Sequence, residues 1–463
     1  MKRLINILAL LVLVISCTEK LEIDPTSYDD MDKALSTPEG LVSLKNSCYA
    51  NARHVYGQYY YHFAEMLADT GEITFLGTFE ELHDLSNKSL VNTFSWGEDA
   101  WRYAYRTING CNLILENLSI VDDQETKLQL EGDARFLRAI MYFDLVRYFS
   151  LPYGDGAMGN PAVPLIEQGV TKFSQVTYPS RSTVQQIFDF AEQDLLKAVN
   201  LLPEEENFFA SRYAAYAMLS RFYLTTGDYA KAAAMADTVI SSGLFSLIEF
   251  PLQAFNQKAN TKEDIMSWQQ TELDNEGQSN GGMTAFYAST EEVGRSEMVI
   301  SESFINSVYA PGDLRGVVQS DVFSSGDINS LFYVGFGQRA RGIYSAKWLR
   351  YNTNLTFIRL AEMYLTRAEA NQELLDNGGS LIGSNTPTRD IAIIRDRAGI
   401  DTTGIQPVNL EDIRFERYKE LIFEGHRLPD YKRWKKNVGD IPWNSTRLII
   451  PLPKKETDTN PNL

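Results

Sequence analysis

The histidines are the first residues to test for chemistry, because imidazole is both a common metal ligand and a common general base. The chain has four of them: His54, His62, His83 and His426. No two have the HExxH spacing of a zinc-protease helix, and the chain has no CxxC pair. The sequence therefore predicts no metal-ligand set and no histidine-centred catalysis.

Other catalytic motifs are also missing. The segment GFGQRARG at 335–342 departs from the GxGxxG pattern, because Ala340 stands at the third glycine and no helical pattern follows. No GxSxG or Walker A motif occurs. Neighbouring carboxylates such as Glu80 and Glu81 are expected by chance in a chain with 61 acidic residues. No catalytic constellation therefore rises above background, and the sequence predicts no cofactor.

Aromatic residues in polar loops are better candidates, because sugars are recognised by flat aromatic faces combined with amide or acidic groups. The segment 90–112 contains two tryptophans that differ on this test. Trp101 keeps helical spacing with Tyr105 and Ile108, which predicts a core position. Trp96 precedes the predicted helix, beside Gly97, and we take it as a ligand-binding candidate with a packed position as the alternative.

Further candidates come from two regions of polar composition. Phe79 and His83 lie in the same predicted loop as Trp96, and Tyr287 and Tyr333 lie in a second loop region. Trp268 follows the strand-like segment EDIMSW, for which packing in the interior is the favoured alternative. The predicted ligand-binding residues are Trp96, Phe79, His83, Tyr287, Tyr333 and Trp268.

The elements that must position these residues are mostly helices. From about residue 34 onward, apolar residues recur at three- and four-residue steps. Residues 211–243 predict two helices joined at a TGDY turn, with Gly227 closing the first and Asp228 capping the second. Small residues on both helices match the tetratricopeptide pattern, and a chance alanine-rich hairpin is the alternative.

Residues 246–345 differ from this pattern, because they are rich in Gly, Asn and Ser with isolated aromatics. The composition predicts long loops carried by the helical scaffold, where binding residues commonly lie.

The charge of the 463-residue chain limits its partners. A formal net charge of −18 argues against nucleic-acid binding, which needs a basic surface. The sequence also contains no dense run of Lys or Arg, so electrostatic binding to anionic lipid is not expected either.

The N-terminus predicts export and lipid attachment. Lys2 and Arg3 precede an apolar stretch from Leu4 to Ile15 that is too short to span a membrane. The stretch ends in VISC, which resembles a bacterial lipobox with Cys17 as the acylated residue. An ordinary signal peptide followed by a stray cysteine is the alternative. The remaining cysteines, Cys48 and Cys111, could form one disulfide or none.

Seven segments in order are similar to the SusD/RagB family of nutrient-binding outer-membrane lipoproteins. The resemblance covers nearly the whole mature chain, although the loops at 70–100 and 270–345 match nothing that can be assigned. The segments are ARFLRAIMYFDLVRYFSLPYGD (134–155), SRFYLTTGDYAKAAAMADTVI (220–240), FINSVYAPGDLRG (304–316), FIRLAEMYLTRAEA (357–370), IRDRAG (394–399), FERYKELIFEGHRLPDYKRWK (415–435) and LIIPLPKKETDTNPNL (448–463).

The resemblance implies a mostly α fold, in which four tetratricopeptide-like helix pairs pack against a loop-rich half with little β-structure. Together with the N-terminal signal it predicts one structural unit with four segments. These are a lipoprotein signal peptide at 1–16, a lipidated tether at 17–28, an N-terminal helical region at 29–245, and a C-terminal region with long loops at 246–463.

The resemblance also implies a function. Such proteins look like lids on a SusC-like TonB-dependent transporter and capture oligosaccharides, or in some branches peptides, at the cell surface of the outer membrane. The resemblance implies that the protein is not an enzyme. It implies that Arg135, Arg138 and the region Arg359–Glu362 form structural ion pairs, and that a helix ends at Gly425. A secreted helical glycosidase and a tetratricopeptide scaffold without a small ligand remain as alternatives.

Overall fold

The structure is a computed structural model that describes residues 31–154, 156–320, 330–337 and 341–463. The predicted signal peptide, Cys17 and the tether lie outside the described residues. No helix in the described part of the chain is long and apolar enough to cross a membrane.

Helices dominate the first half of the chain, and their ends follow the capping residues. Thr37 accepts a hydrogen bond from the Gly40 amide at the start of α1, and Thr183 and Gln186 form a capping box at the start of α6. The helices are α1 (Pro38–Val55), α2 (Tyr61–Leu67), α3 (Glu80–Asn87), α4 (Ser95–Asn117), α5 (Gln124–Phe149), α6 (Val184–Leu201), α7 (Arg212–Thr226) and α8 (Tyr229–Ser241).

Among the residues that the structure describes, the second half adds seven further α-helices and all the strands but one. The helices are α9 (Met283–Tyr287), α10 (Glu302–Val308), α11 (Leu360–Asp376), α12 (Pro387–Arg397), α13 (Leu410–Leu421), α14 (Arg427–Arg433) and α15 (Lys454–Thr459). The strands are β1 (Ile73–Phe75), β2 (Asp264–Trp268), β3 (Met298–Ile300), β4 (Val318–Gln319), β5 (Phe332–Val334), β6 (Ile343–Ser345) and β7 (Leu355–Arg359).

The predicted helical hairpin is confirmed. Gly227 has φ 78° at the end of α7, a left-handed conformation that glycine adopts without strain. The Asp228 side chain accepts a hydrogen bond from the Lys231 amide and starts α8. Ser220 and Ala232, small residues on the two helices, lie in contact through a 3.3 Å hydrogen bond to the Ala232 carbonyl.

Neighbouring helices in the chain are neighbours in space, as the tetratricopeptide pattern predicts. Contacts run in order through α1, α4, α5, α6, α7, α8 and α11, and α11 also packs against α12 and α13. This arrangement confirms the predicted mostly α fold, with its helices stacked into a scaffold.

The strands form two small sheets on this scaffold. β2 and β7 pair antiparallel, with Trp268 opposite Leu355. The other five strands form a sheet in the order β1-β3-β6-β5-β4, in which only β4 and β5 are parallel. A single large group of buried apolar side chains extends from Leu41 to Ile450 and contains residues of both halves.

Buried ion pairs occupy the positions expected of a structural framework. Arg138 is buried and pairs with Asp194 at 2.7 Å. Arg359 pairs with Glu420 at 2.7 Å and with Glu424 at 2.7 Å. Because a buried charge needs a partner, these side chains hold helices together and are not free for a ligand.

The helix end near Gly425 differs from the prediction, and the state of the two buried cysteines is now defined. The helix expected to end at Gly425 ends earlier, at Leu421, and Gly425 follows in a turn with φ 81°. Cys48 and Cys111 are both buried free thiols, so the structure does not contain a disulfide between them.

Candidate functional site

The tyrosine-rich stretch Tyr56–Tyr60 forms a π-helix between α1 and α2. An extra residue per turn re-aims side chains, and such segments are often found at functional sites. Tyr56 and Tyr60 turn toward the interior, where they stack on Trp268 and Tyr148 respectively. Tyr59 instead contacts Trp96, with ring centroids 5.7 Å apart. The π-helix therefore joins the interior to a second group of rings around Trp96.

Six rings form a continuous row that we call the aromatic face. Successive centroids along the row are 6.5, 5.6, 5.7, 5.6 and 4.1 Å apart. The rings are, in spatial order, Phe79, Phe286, Trp96, Tyr59, His54 and Tyr103.

Exposure along the aromatic face is uneven. Phe79 is 38% exposed, and Trp96, His54 and Tyr103 are half-buried. Phe286 and Tyr59 are buried beneath them. The face therefore offers the edges and faces of four rings to solvent on a layer of two buried ones. This arrangement suits a ligand with apolar CH surface.

Helix α4 supplies one end of the aromatic face. Trp96 lies in its first turn, and Tyr103 lies two turns later on the same side. Between them Asp99 forms an ion pair with Arg102, whose guanidinium lies 4.5 Å from the Tyr103 ring. The Tyr59 hydroxyl donates to Asp99 at 3.4 Å. Carboxylate and guanidinium groups beside exposed rings are suited to hydrogen bonding with ligand hydroxyls.

Arg295 holds the other end of the aromatic face. Its guanidinium lies 4.5 Å from the Phe286 ring and 5.4 Å from the Phe79 ring. It pairs with Glu297 at 2.9 Å and donates to the Asn280 carbonyl at 2.9 Å. These contacts fix Phe286 and Phe79, the two rings at this end of the face.

Glu276 ties a loop to α1 and the π-helix behind the row. Its carboxylate is 2.8 Å from His54 Nδ1, accepts from Gln58 at 2.6 Å and pairs with Arg53 at 3.3 Å. Burial raises the pKa of Glu276, but the hydrogen bonds from His54 and Gln58 and the charge of Arg53 outweigh it and hold the pKa below its usual range. The carboxylate is therefore charged and fixes the orientation of the His54 ring.

Two ionisable groups of α2 are buried, and His62 lies directly beneath the aromatic face, in contact with Trp96 and Phe286. Burial lowers the pKa of His62 to about 4, and its Nε2–H donates to the Gly281 carbonyl at 3.0 Å. Burial raises the pKa of Glu65 to about 7, although its Oε1 accepts from the Gly425 amide at 3.1 Å. The imidazole under the face is therefore neutral at neutral pH.

Three of the predicted ligand-binding residues lie at or near the surface. Trp96 and Phe79 both belong to the aromatic face, although Trp96 lies inside α4 and not before it. His83 is exposed on α3, so the loop expected around it is a short helix. Its ring lies 4.8 Å from Phe75 and hydrogen-bonds to the Gly77 carbonyl, outside the row.

The other three predicted residues lie in the interior, which corrects the expectation of exposed loop aromatics. Trp268 is 1% exposed, between Tyr56 and Phe357. Tyr287 is packed against His62 and Phe423, and the hydroxyl of buried Tyr333 accepts from the Ser289 amide at 2.7 Å. In the described parts of 246–345, which are 246–320, 330–337 and 341–345, turns connect packed strands and short helices.

Several residues of the site were not among the predictions. Tyr103 and Asp99 could have been found, because positions 96, 99 and 103 share one side of a helix. His54 lies in the tyrosine-rich segment but had no distinguishing signal. Arg295 comes from a distant segment, and no local pattern points to it.

Among the residues that the structure describes, no group of three or more His, Cys, Asp or Glu side chains could hold a metal ion.

Comparison with known proteins supports this description of the fold. A family described as "Starch-binding associating with outer membrane" matches residues 24–224, and the "SusD family" matches residues 340–462. SusD-like protein P2 of Formosa agariphila is 26% identical over 524 residues, an alignment covering 99% of this chain and 98% of the relative.

Solved structures share the same fold. A SusD superfamily protein of Bacteroides thetaiotaomicron has a TM-score of 0.78 at 24% identity, covering 92% of this chain and 98% of that chain. A laminarin-binding SusD-like protein has a TM-score of 0.72 at 21% identity, covering 92% of this chain and 98% of that chain. Both family matches, the full-length relative and the shared architecture lead to one conclusion: the chain belongs to the SusD/RagB family.

Proposed function

We propose that this protein is a cell-surface lipoprotein that captures oligosaccharides on its aromatic face and passes them to a SusC-like TonB-dependent outer-membrane transporter. The observation that carries the proposal is the row of six rings with Asp99, Arg102 and Arg295 beside it. Stacking on the exposed rings would hold the CH faces of sugars, and the charged groups would bind their hydroxyls.

Two findings on relatives support carbohydrate as the ligand class. One matching family is described as starch-binding and associated with the outer membrane. One structure with the same fold is a laminarin-binding protein. The proposed activity is binding without turnover, as the family resemblance implies.

The central test is a titration of the purified protein with laminarin and starch oligosaccharides, in which binding is measured by calorimetry and by tryptophan fluorescence. Trp96→Ala removes the ring at the centre of the face and should weaken binding at least about tenfold, or ~1.4 kcal/mol. Trp96→Phe should retain part of the affinity, because it keeps a stacking ring.

The matched control is Trp443→Ala, because Trp443 is also half-buried but lies outside the aromatic face. Glycan affinity equal to the parent in Trp96→Ala would refute the assignment of the site. Binding to a peptide pool but to no glycan would favour peptide capture. Release of reducing ends by the purified protein, abolished by a single carboxylate mutation, would instead establish a glycosidase.

Lipid attachment and the transporter partner need separate tests. Cells given labelled palmitate should incorporate it into the parent and not into Cys17→Ser, and label in the variant would contradict the anchor. A SusC-like transporter encoded beside this protein should co-purify with it from outer membranes. Recovery of the protein without any such partner would argue against delivery to a barrel.

A further inference from the structure

A groove of about 830 Å³ lies beside the aromatic face, on the other side of α4. Its sides are one face of α1, one face of α4, the segment 164–179 and the C-terminal residues from Glu456 onward. This volume lies within the range of about 300–1,000 Å³ that is typical of small-molecule sites.

Hydrogen bonds fix the wall that segment 164–179 forms. The Tyr105 hydroxyl donates to the Pro164 carbonyl at 2.7 Å. The Asn109 side chain donates to the Val170 carbonyl at 3.0 Å and accepts from its amide at 2.7 Å. The Asn460 side chain donates to the Pro179 carbonyl at 2.8 Å. The groove is therefore held open by specific contacts along its whole length.

The same wall presents large apolar side chains to solvent. Phe173 is 80% exposed and Tyr178 is 44% exposed, and Val176 between them is also exposed. Exposed apolar side chains concentrated in a concave surface commonly mark an interaction site. The two rings offer the kind of stacking surface that the aromatic face offers.

The charge of the groove lining is unlike that of the whole chain, which is −18. Its charged side chains are Arg102, Arg106 and Glu456. Burial and the charge of Glu98 raise the pKa of Glu456, although a hydrogen bond with Trp101 lowers it. Because Arg102 is paired with Asp99, Arg106 is the cation of this lining that could meet an anionic ligand.

Arg106 is the available cation in this lining. Its side chain is exposed and its guanidinium lies 5.3 Å from the Tyr103 ring. No carboxylate of residues 31–154, 156–320, 330–337 or 341–463 forms an ion pair with it. A guanidinium held against a ring and free of a counter-ion is suited to bidentate binding of a carboxylate or sulfate.

We propose that this groove is a second binding site, which takes an anionic segment of an oligosaccharide chain bearing carboxylate or sulfate groups. Phe173 and Tyr178 would stack on the sugar rings, and Arg106 would bind the anion. The inference rests on the proposed function for its ligand class. The two surfaces meet at Tyr103, because this ring contacts His54 of the aromatic face and the guanidinium of Arg106. One chain could therefore lie across both.

The test compares three oligosaccharides of matched length with the full-length protein by calorimetry. The probes are an oligogalacturonate, a sulfated galactan oligosaccharide and a neutral laminarin oligosaccharide. The parent should bind at least one anionic probe more tightly than the neutral one, and the advantage should shrink as salt is added. Arg106→Gln should weaken binding of that probe roughly tenfold and leave the laminarin oligosaccharide unchanged.

Two further variants keep the result interpretable. Arg389→Gln removes another exposed arginine, on α12, and should change nothing. Phe173→Ser combined with Tyr178→Ser should weaken binding of the anionic probe. The thermal melting curve should not change, because both side chains are exposed.

The outcomes separate this proposal from the proposed function. Loss of all glycan binding in Trp96→Ala, with Arg106→Gln equal to the parent, would overturn the groove and support the aromatic face. Weakened binding of the anionic probe in Arg106→Gln, with glycan binding in Trp96→Ala equal to the parent, would support the groove and overturn the aromatic face. If the parent bound neither anionic probe more tightly than the neutral one, the groove proposal would be wrong. Whether the anion is a carboxylate or a sulfate follows from which probe binds.

Discussion

Two groups of rings, each centred on a tryptophan, contact the π-helix and differ in their exposure to solvent. Trp268 is surrounded by Tyr56 at 5.2 Å and Phe357 at 5.1 Å and is almost wholly buried. Trp96 has Tyr59 and Phe286 at similar distances, yet it is only half-buried. Ring packing alone therefore does not distinguish an interior cluster from a binding surface.

The difference lies in the backbone that carries each ring. Trp268 ends a strand whose five residues are all buried, paired with β7 and packed on the helices. Trp96 begins a helix of which one side faces solvent. A strand covered on both sides hides every side chain, whereas an amphipathic helix exposes those on its outer side.

The largest expected effect tests this contrast in stability. Trp268→Ala should lower the free energy of unfolding by about 3–5 kcal/mol, because it leaves a large cavity in the interior. Trp96→Ala should cost only about 1–2 kcal/mol, because solvent already reaches its ring. Urea unfolding followed by circular dichroism measures both. Equal losses would show that the aromatic face is part of the core.

Two buried carboxylates, Glu65 and Glu276, differ in the same way as the tryptophans, and their replacement should have an intermediate effect on stability. Glu65 has one carboxyl oxygen without a hydrogen-bond partner among the described residues, whereas Glu276 is fully partnered. Since burial raises the folded-state pKa of Glu65 from 4.5 to about 7, its contribution to stability falls as pH rises through that interval. Glu65→Gln should therefore be more stable than the parent by roughly 1–3 kcal/mol at about pH 8, with the gain vanishing near pH 4.

Glu276→Gln is the matched variant and should behave in the opposite way. The folded-state pKa of Glu276 lies below its usual value, so its contribution is present above the unfolded pKa of about 4.5 and is lost as pH falls. The variant should lose stability at neutral pH and approach the parent in acid. Thermal melts across the pH range measure both variants. A gain for both at neutral pH would mean that the partners of Glu276 contribute nothing.

The smallest expected effect is at His83. This side chain is exposed on α3 and lies outside the aromatic face. His83→Ala should change the unfolding free energy by less than about 0.5 kcal/mol and leave glycan affinity at the parent value. A clear loss of affinity in the same titration used for Trp96→Ala would extend the binding surface to α3.

The comparison of the two tryptophans also shows why part of the site could be predicted and part could not. Trp96 was selected as a candidate because it was expected to precede the helix of Trp101, whereas it lies in the first turn of that helix and is half-buried. Tyr287 and Tyr333 were expected in open loops because their segments are rich in glycine and serine. Instead Tyr287 ends the short helix α9 and Tyr333 lies in the paired strand β5, and pairing between distant segments leaves no local pattern.

The sequence by itself determined the helical scaffold, the α7–α8 hairpin and the family. These depend on local periodicity, capping residues and motifs that are close in the chain. Only the tertiary structure decided which rings face solvent, that Arg295 supports Phe79, and that a groove containing Arg106 adjoins the aromatic face. Burial and proximity are set by contacts between segments that can be more than 200 residues apart, such as those of Phe79 with Arg295. No short stretch of sequence contains both partners.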